Sequence, residues 1–137
     1  MRAIIFGNDN IVKKLSGLLV NEGIEVESKS FGLFENINWG NNGEYDLAIV
    51  DGSTDTAVMA CENIREYGNV PIALLVDPKQ ADWKMLGPLN ADCYIPEINK
   101  SGEMAARLRA TLRRFSFFRQ DNDKSGGPNR ETETAIN

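Results

Sequence analysis

Asp51 is the residue in this sequence whose type and position most directly suggest chemistry. The stretch YDLAIVDG, residues 45–52, carries β-forming residues up to Asp51 and then turns at Gly52. Open α/β sheets bind ligands at the carboxyl ends of their strands. A carboxylate in that place can accept a phosphoryl group as a nucleophile, or it can bind Mg²⁺. Asp51 is therefore the first candidate for a functional residue.

The side chains that could assist this aspartate are those that follow the other predicted strands. Gly7 and Asn8 follow the first strand, Val76 ends the fourth, and Glu97 follows the fifth. Near the first strand only Asp9, one place further on, is acidic. A lone carboxylate at a strand end also commonly caps a helix or faces solvent in a turn. The aspartate by itself therefore does not establish a catalytic site.

Composition excludes several classes of protein. The chain has 137 residues, no histidine and only two cysteines, Cys61 and Cys93. Without histidine it has no imidazole metal ligand, no histidine base and no Ser/His or Cys/His nucleophile pair. The distant cysteines indicate neither a zinc site nor a disulfide framework, and we expect them to be small, partly buried apolar residues. A net charge of −5 opposes direct binding to nucleic acid, which requires a basic surface.

The sequence predicts a cytoplasmic protein with no membrane partner. No apolar run reaches the roughly 20 residues that a membrane-spanning helix requires. The first residues, MRAIIFGNDN, become polar too early for a signal peptide. A length of 137 residues suits one domain with a single core.

Predicted strands and helices alternate along the chain. Strands are predicted at 2–6, 24–29, 45–50, 70–76 and 91–95, and helices at 11–23, 30–39, 54–67, 80–90 and 101–118. The helices at 30–39 and 80–90 are short. With right-handed crossovers this alternation predicts an α/β, flavodoxin-like, doubly wound, five-stranded parallel sheet of order 2-1-3-4-5, with helices on both faces.

Boundary signals refine this prediction. Asp9 or Asn10 is expected to cap the first helix, and Gly23 to end it in a left-handed conformation. Residues 120–137, QDNDKSGGPNRETETAIN, are polar and rich in turn formers. Such a segment buries too little apolar surface to offset its ordering entropy. We therefore predict one domain at 1–119 and a disordered linker or tail at 120–137.

Two motifs near the carboxyl end are similar to those of a known family. NADCYI, residues 90–95, is similar to a fifth-strand motif GADDY, with matches at Ala91, Asp92 and Tyr94. EMAARLRATLRRF, residues 103–115, is similar to a final helix rich in arginine. Over residues 1 to about 115 the chain resembles the CheY-like receiver domain of bacterial two-component response regulators. Its last part is similar to the OmpR/PhoB-type subfamily.

The resemblance assigns roles to the strand-end residues. Asp51 would be the phosphoacceptor. In the family, two acids after the first strand bind Mg²⁺, a Thr or Ser after the fourth contacts the phosphoryl group, and a Lys after the fifth neutralises its charge. In this sequence these positions hold Gly7 with Asn8, Val76 and Glu97, while Tyr94 keeps the aromatic switch position.

These departures imply a degenerate site. A valine offers no hydroxyl, and a glutamate repels a phosphoryl group instead of neutralising it. Mg²⁺ binding by Asp9 and Asp51, with Asn8 as a further candidate ligand, is expected to be weak. No cofactor is required.

The resemblance also implies a homodimer, formed through the fourth helix, the fifth strand and the fifth helix. Charged residues on the matching elements are Asp82, Lys84, Asp92, Arg107, Arg109, Arg113 and Arg114. Opposite charges on a self-complementary patch suit a twofold interface. Trp83 and Met85 would add apolar area or belong to the core. The alternative is that the charges form a solvated helix face.

Three functional hypotheses follow. The first is an atypical, non-enzymatic receiver that works as a regulatory and dimerisation module, independent of conventional phosphorylation. It would belong to a bacterial transcription regulator that contacts DNA through an effector domain outside this chain. The second is a working phosphoacceptor that uses Asp51 and weakly bound Mg²⁺, served by a sensor kinase. The third is a stand-alone adaptor that binds a kinase or another signalling protein.

Overall fold

The computed structural model describes residues 1–28, 45–53, 56–96 and 100–125, without the side chains of residues 67 and 117–125. Nine helices and strands lie in these ranges. They are β1 (Arg2–Phe6), α1 (Asp9–Val20), β2 (Glu25–Ser28), β3 (Leu47–Asp51), α2 (Ala57–Tyr67), β4 (Ile72–Leu75), α3 (Trp83–Leu86), β5 (Cys93–Ile95) and α4 (Ser101–Ser125). A single 3₁₀ turn, Gly87–Leu89, follows α3. The strands form one parallel sheet of order β2-β1-β3-β4-β5, which confirms the predicted fold class.

Side chains of successive strand residues point to opposite faces of the sheet, and two of the described helices cover each face. On one face α2 and α3 pack through Ile64 and Leu86 against Phe6, Val50 and Leu74. On the other face α1 and α4 pack through residues such as Leu15 and Leu108 against Ile5, Ile49 and Leu75. Because both faces are covered, the central strands must be apolar at successive positions. This explains the continuous apolar runs in the sequence.

The cap of α1 lies one residue earlier than predicted. The side-chain Oδ1 of Asn8 accepts a hydrogen bond of 2.9 Å from the backbone N–H of Ile11. The helix starts at Asp9, so the preceding residue takes the cap position, and the prediction of Asp9 or Asn10 is wrong. Asp9 instead lies in the first turn, where its negative charge faces the positive end of the helix dipole.

The end of α1 follows the prediction. Gly23 has a φ of 78°, the left-handed conformation that glycine adopts without strain. The N–H of Ile24 donates to the carbonyl of Leu19 at 3.0 Å, and that of Gly23 donates to the carbonyl of Val20 at 3.1 Å. These are the two hydrogen bonds of a Schellman motif. The turn directs the chain into β2, at the edge of the sheet.

Other predicted boundaries differ or lie outside the described residues. The second predicted helix, at 30–39, falls outside them. The next helix begins at Ala57, and residues 54–55 of its predicted range are also outside. α4 continues to Ser125 and so includes the first residues of the predicted tail. Residues 126–137 lie outside the described part, so the tail boundary stays a prediction.

None of the described helices is both long enough and apolar enough to span a membrane. α4 has 25 residues but a polar composition, and α1, the next longest, has 12 residues. Among the residues that the structure describes, no helix therefore meets both requirements for crossing a membrane.

The two cysteines differ in burial, and this difference predicts their reactivity. Cys61 on α2 is 2% exposed, and burial raises the pKa of its thiol to about 11, whereas Cys93 is half-buried. A disulfide-exchange reagent at pH 8 should therefore label Cys93 first, because the Cys61 thiol stays protonated and covered. Labelling of both at equal rates in the folded protein would contradict this.

The same shift predicts how stability depends on pH. The folded state retains the Cys61 proton between the ordinary pKa of 9.0 and about 11, whereas the unfolded state releases it. The free energy of unfolding should therefore fall as pH rises through this range. Urea unfolding of the wild type and of Cys61→Ala at several pH values measures the difference.

Candidate functional site

Asp51 lies at the carboxyl end of β3 and takes part in a tight local turn. Its side chain is 3% exposed. The Oδ1 atom accepts hydrogen bonds from the backbone N–H of Ser53 at 3.0 Å and from the Ser53 hydroxyl at 2.7 Å. An aspartate that accepts from the residue two places on forms an Asx turn. One carboxylate oxygen is therefore already engaged by two donors of the same loop.

Gly7, at the end of β1, packs directly against this aspartate. A Cβ atom built on Gly7 would lie 3.1 Å from Cβ and 3.7 Å from Oδ2 of Asp51. It would also lie 3.7 Å from a methyl group of Ile11. The side chain of Asp51 thus occupies space beside the glycine backbone. An acidic side chain at position 7 would require Asp51 or α1 to move.

Two of the oxygen atoms predicted to bind Mg²⁺ accept hydrogen bonds within the chain, and the binding of Mg²⁺ by Asp9, Asp51 and Asn8 stays a prediction. Mg²⁺ requires near-octahedral coordination by oxygen atoms. The Oδ1 atom of Asn8 caps α1, Oδ1 of Asp51 accepts from Ser53, and Asp9 is exposed. Within residues 1–28, 45–53, 56–96 and 100–125 no group of three or more His, Cys, Asp or Glu residues could hold a metal. The described residues therefore do not bring three such side chains together around Asp51.

Beside Asp51, the first residues after β3 and β4 are in close contact. The N–H of Gly52 donates to the carbonyl of Leu75 at 2.8 Å, and a Cβ on Gly52 would lie only 2.6 Å from that oxygen. The same Cβ would lie 3.2 Å from a methyl group of Val76. Val76 is buried, and its N–H donates to the carbonyl of Ile95 at 3.1 Å. The switch position is thus occupied by a packed apolar side chain. Glu97 lies outside the described residues.

Tyr94, at the aromatic switch position, packs against α3. Its ring meets the ring of Trp83 edge to face, with centroids 5.6 Å apart and planes at 65°. The carbonyl of Tyr94 lies 3.5 Å from Nη1 of Arg107, whose Nη2 pairs with Glu103 at 3.3 Å. Trp83 remains 46% exposed. An aromatic pair and an ion pair therefore lie together on one face formed by α3, β5 and α4.

The structure separates the charged residues that were predicted to share the dimer face. Asp92 forms an ion pair with Arg65 of α2 at 3.1 Å and accepts from the backbone N–H of Ile72 at 2.8 Å. Arg109 donates to the carbonyl of Glu22 beside α1. Both residues are thus engaged within the chain.

The remaining charges divide between two sides of α4. Arg107 and Arg114 are seven residues apart, which places them on the same side of α4. Arg113 follows Arg109 by four residues and lies on the other side. Arg113 and Arg114 are exposed, as are Asp82 and Lys84 on and beside α3.

Ser53 and Arg65 are site residues that the sequence did not reveal. For Ser53 a signal existed, because an Asp at the start of a turn commonly accepts from the backbone N–H two residues on. For Arg65 none existed, because its partner Asp92 is 27 residues away. Only the folded chain brings α2 beside the start of β5.

No model of a known protein family matches the chain. CpxR, a transcriptional regulatory protein of Escherichia coli strain K12, is 27% identical over 136 residues, covering 87% of this chain and 59% of CpxR. The chain thus spans about three fifths of the length of the curated relatives that it matches.

Solved structures match over most of the chain. TrrA, a response regulator protein of Thermotoga maritima solved in complex with Mg²⁺-BeF, matches with a TM-score of 0.63 and 19% identity, covering 80% of this chain and 96% of that one. A CheY-like response regulator receiver domain protein of Methanospirillum hungatei matches with a TM-score of 0.63 and 16% identity, covering 84% and 95% respectively. At these identities the structural matches establish the fold alone.

Proposed function

We infer that this chain, a CheY-like receiver domain of the two-component response regulator type, works as a regulatory dimerisation module without conventional phosphorylation of Asp51. The observation that carries this proposal is the turn at the end of β3. Oδ1 of Asp51 accepts from both the N–H and the hydroxyl of Ser53, and Gly7 packs against the same side chain. In this proposal the aspartate holds a loop in place.

Phosphoryl transfer to a carboxylate needs positive charge around the transferred group. Cations offset the negative charge that develops in the transition state, so their loss slows the reaction. Among the described residues, no group of three or more His, Cys, Asp or Glu side chains could hold a metal ion. At the position where the family has a Lys, the sequence has Glu97, which adds negative charge. Both features favour a site that is inactive toward phosphoryl donors.

The switch residues support the same interpretation. Val76 has no hydroxyl to contact a phosphoryl group, and it packs beside Gly52 in the apolar layer. The Tyr94 ring already has a packing partner in Trp83. The arrangement of α3 and β5 would then depend on packing within the domain and on bound partner proteins. It would not depend on phosphorylation of Asp51.

We define the α3/β5/α4 face as Asp82, Trp83, Lys84, Tyr94, Arg107 and Arg114, and propose it as the dimer interface. Trp83 supplies a partly exposed aromatic ring. The charged members of the face, which are Asp82, Lys84, Arg107 and Arg114, include both signs. Interfaces are typically stabilised by aromatic anchors surrounded by a polar rim. Opposite charges on one patch allow a twofold copy to pair them. Asp92 and Arg109 remain predicted members, but the proposal does not depend on them.

The proposed context is a bacterial, cytoplasmic transcription regulator. CpxR is a transcriptional regulatory protein, and this chain spans 59% of its length. DNA contact would be made by a separate effector domain. A sensor kinase is a partner only if the site at Asp51 works.

Two substitutions of Asp51 separate a structural role from a chemical one. Asp51→Asn should leave both the dimer dissociation constant and the free energy of unfolding unchanged, because the amide oxygen can still accept from both Ser53 donors. Asp51→Ala should lower the free energy of unfolding by about 1–3 kcal/mol, because it leaves those donors without their acceptor. Sedimentation equilibrium and urea unfolding measure the two quantities. A folded Asp51→Asn variant that no longer dimerises would contradict the proposal.

An adaptor that binds another signalling protein is the second candidate function. The observation that favours it is a groove of about 550 Å³ between α2 and the 3₁₀ turn, lined in part by Val58, Met85 and Leu89. Met59 on α2 is 51% exposed. Exposed apolar patches commonly mark interaction sites. A protein that stays monomeric at all concentrations in sedimentation would favour the adaptor over the dimerisation module.

A further inference from the structure

A second cavity lies on the α3 side of Asp51. Its volume is about 230 Å³. Its apolar floor includes Val76, Met85 and Leu86, and its rim carries the polar side chains of Asp77, Gln80 and Asp82. Small-molecule sites commonly combine an apolar lining with a few convergent polar groups. The cavity has this composition, and it adjoins the switch position directly.

The charge of the rim restricts what the cavity can bind. Two of its lining residues are carboxylates, and among the described residues none of the lining is Lys or Arg. Oδ1 of Asp77 accepts from the N–H of Lys79 at 3.0 Å, which fixes that carboxylate in its turn. Asp82 precedes α3 but its side chain forms no capping hydrogen bond. An anion such as phosphate would be repelled, whereas a cation would find carboxylate oxygens at the rim.

We propose that this cavity binds a small organic cation, a primary ammonium group on a compact apolar body. The apolar body would rest on the Val76, Met85 and Leu86 side chains, and the ammonium group would donate hydrogen bonds to the Asp77 and Asp82 carboxylates. Charge complementarity with the rim and the apolar floor together select this chemistry. The site lies next to Asp51 but does not use it.

A ligand in the cavity would change the proposed dimer face by moving α3. This helix has only four residues. Met85 and Leu86 line the cavity, and Trp83 packs against Tyr94 on the α3/β5/α4 face. A ligand that displaces Met85 therefore displaces the turn that carries Trp83. This regulatory consequence depends on the proposed function, whereas binding itself does not.

Three probes of similar shape and different charge test the binding site. Benzylammonium, benzyl alcohol and benzoate are each titrated into the ¹⁵N-labelled chain at pH 7, and amide shifts are followed at Ser53, Val76, Gln80 and Met85. Benzylammonium should give saturable shifts at these amides. Benzyl alcohol should bind about threefold more weakly or worse, as expected for loss of exposed ion pairs. Benzoate should give no saturable shift.

Variants locate the effect. Ala81 also lines the cavity, so a larger side chain at this position should fill it. Ala81→Leu should therefore abolish the benzylammonium shifts. Asp82→Asn, at an exposed position, should weaken binding about threefold without loss of folding. Glu25→Gln removes a charge at the opposite edge of the sheet and should change nothing. Equal affinity for all three probes, or benzylammonium shifts that survive in Ala81→Leu, would overturn the inference.

A second readout separates this inference from the proposed function. In a Trp39→Phe background the fluorescence of Trp83 reports on α3, and sedimentation reports on the dimer. Saturable amide shifts with a fluorescence change support the binding site and its connection to α3. Absent shifts overturn the binding site, whatever sedimentation shows for Asp51→Asn. Binding without any change in fluorescence or dimerisation overturns the regulatory consequence.

Discussion

Replacing Trp83 with alanine should weaken self-association by about thirtyfold, because truncating an aromatic anchor at an interface centre typically costs about 2 kcal/mol. Trp83 is 46% exposed, and its neighbours in the sequence are the exposed residues Asp82 and Lys84. Met59, on α2, is 51% exposed but lies outside that face. Met59→Ala should therefore leave the dimer dissociation constant unchanged, which makes it the matched control.

Sedimentation equilibrium over a range of concentrations measures both variants. The Trp83 ring also contacts Tyr94 within the chain, so urea unfolding must show that Trp83→Ala remains folded. Trp83→Phe keeps an aromatic ring and should retain part of the affinity. Equal effects of Trp83→Ala and Met59→Ala would remove α3 from the interface and favour an adaptor that binds through another surface.

Gly52→Ala should lower the free energy of unfolding by about 2–3 kcal/mol, as overpacking against fixed backbone does. The added Cβ would lie 2.6 Å from the carbonyl oxygen of Leu75, which Gly52 itself binds through its N–H at 2.8 Å. That oxygen belongs to the backbone at the end of β4 and cannot turn away like a side chain. Relief would require β3 and β4 to separate next to Asp51.

Gly17→Ala is the matched control for the glycine substitution. Gly17 lies within α1, and apart from the adjoining backbone of that helix no described atom lies within 4 Å of a Cβ built there. Alanine should raise the free energy of unfolding by roughly 0.5–1 kcal/mol through its higher helix propensity. Urea unfolding of both variants measures the effects. A Gly52→Ala protein as stable as the wild type would show that the β3 and β4 ends adjust freely.

The sheet could be predicted from sequence because its signals are local. Continuous apolar runs indicate strands covered on both faces, and alternation with helices leaves few allowed topologies. Gly23 was predicted correctly because a left-handed helix end depends on one residue type. The cap of α1 was missed by one residue because Asn8, Asp9 and Asn10 are all suitable cap types. Only the start of the helix selects among them.

The contact partners of the charged residues depend on the three-dimensional arrangement of the helices and strands, which a sequence match does not contain. The family resemblance grouped Arg107 with Arg109, yet two residues along a helix differ by about 200° in direction. In the structure Arg107 lies beside Tyr94 and Arg109 beside Glu22. Asp92 likewise pairs with Arg65, which is distant in sequence and close only because α2 packs beside β5.

Amide NMR spectra with Mg²⁺ alone, and then with Mg²⁺ and beryllofluoride, test most directly whether Asp51 still accepts a phosphoryl group. Beryllofluoride mimics that group on an aspartate, and TrrA, solved with Mg²⁺-BeF, serves as the positive control. We predict no saturable shifts at the ends of β1, β3 and β4, because Ser53 holds Oδ1 of Asp51 and no group of three or more metal-ligating side chains lies among the described residues. Saturable shifts at those strand ends that disappear in Asp51→Asn would show a working phosphoacceptor and contradict the proposed function.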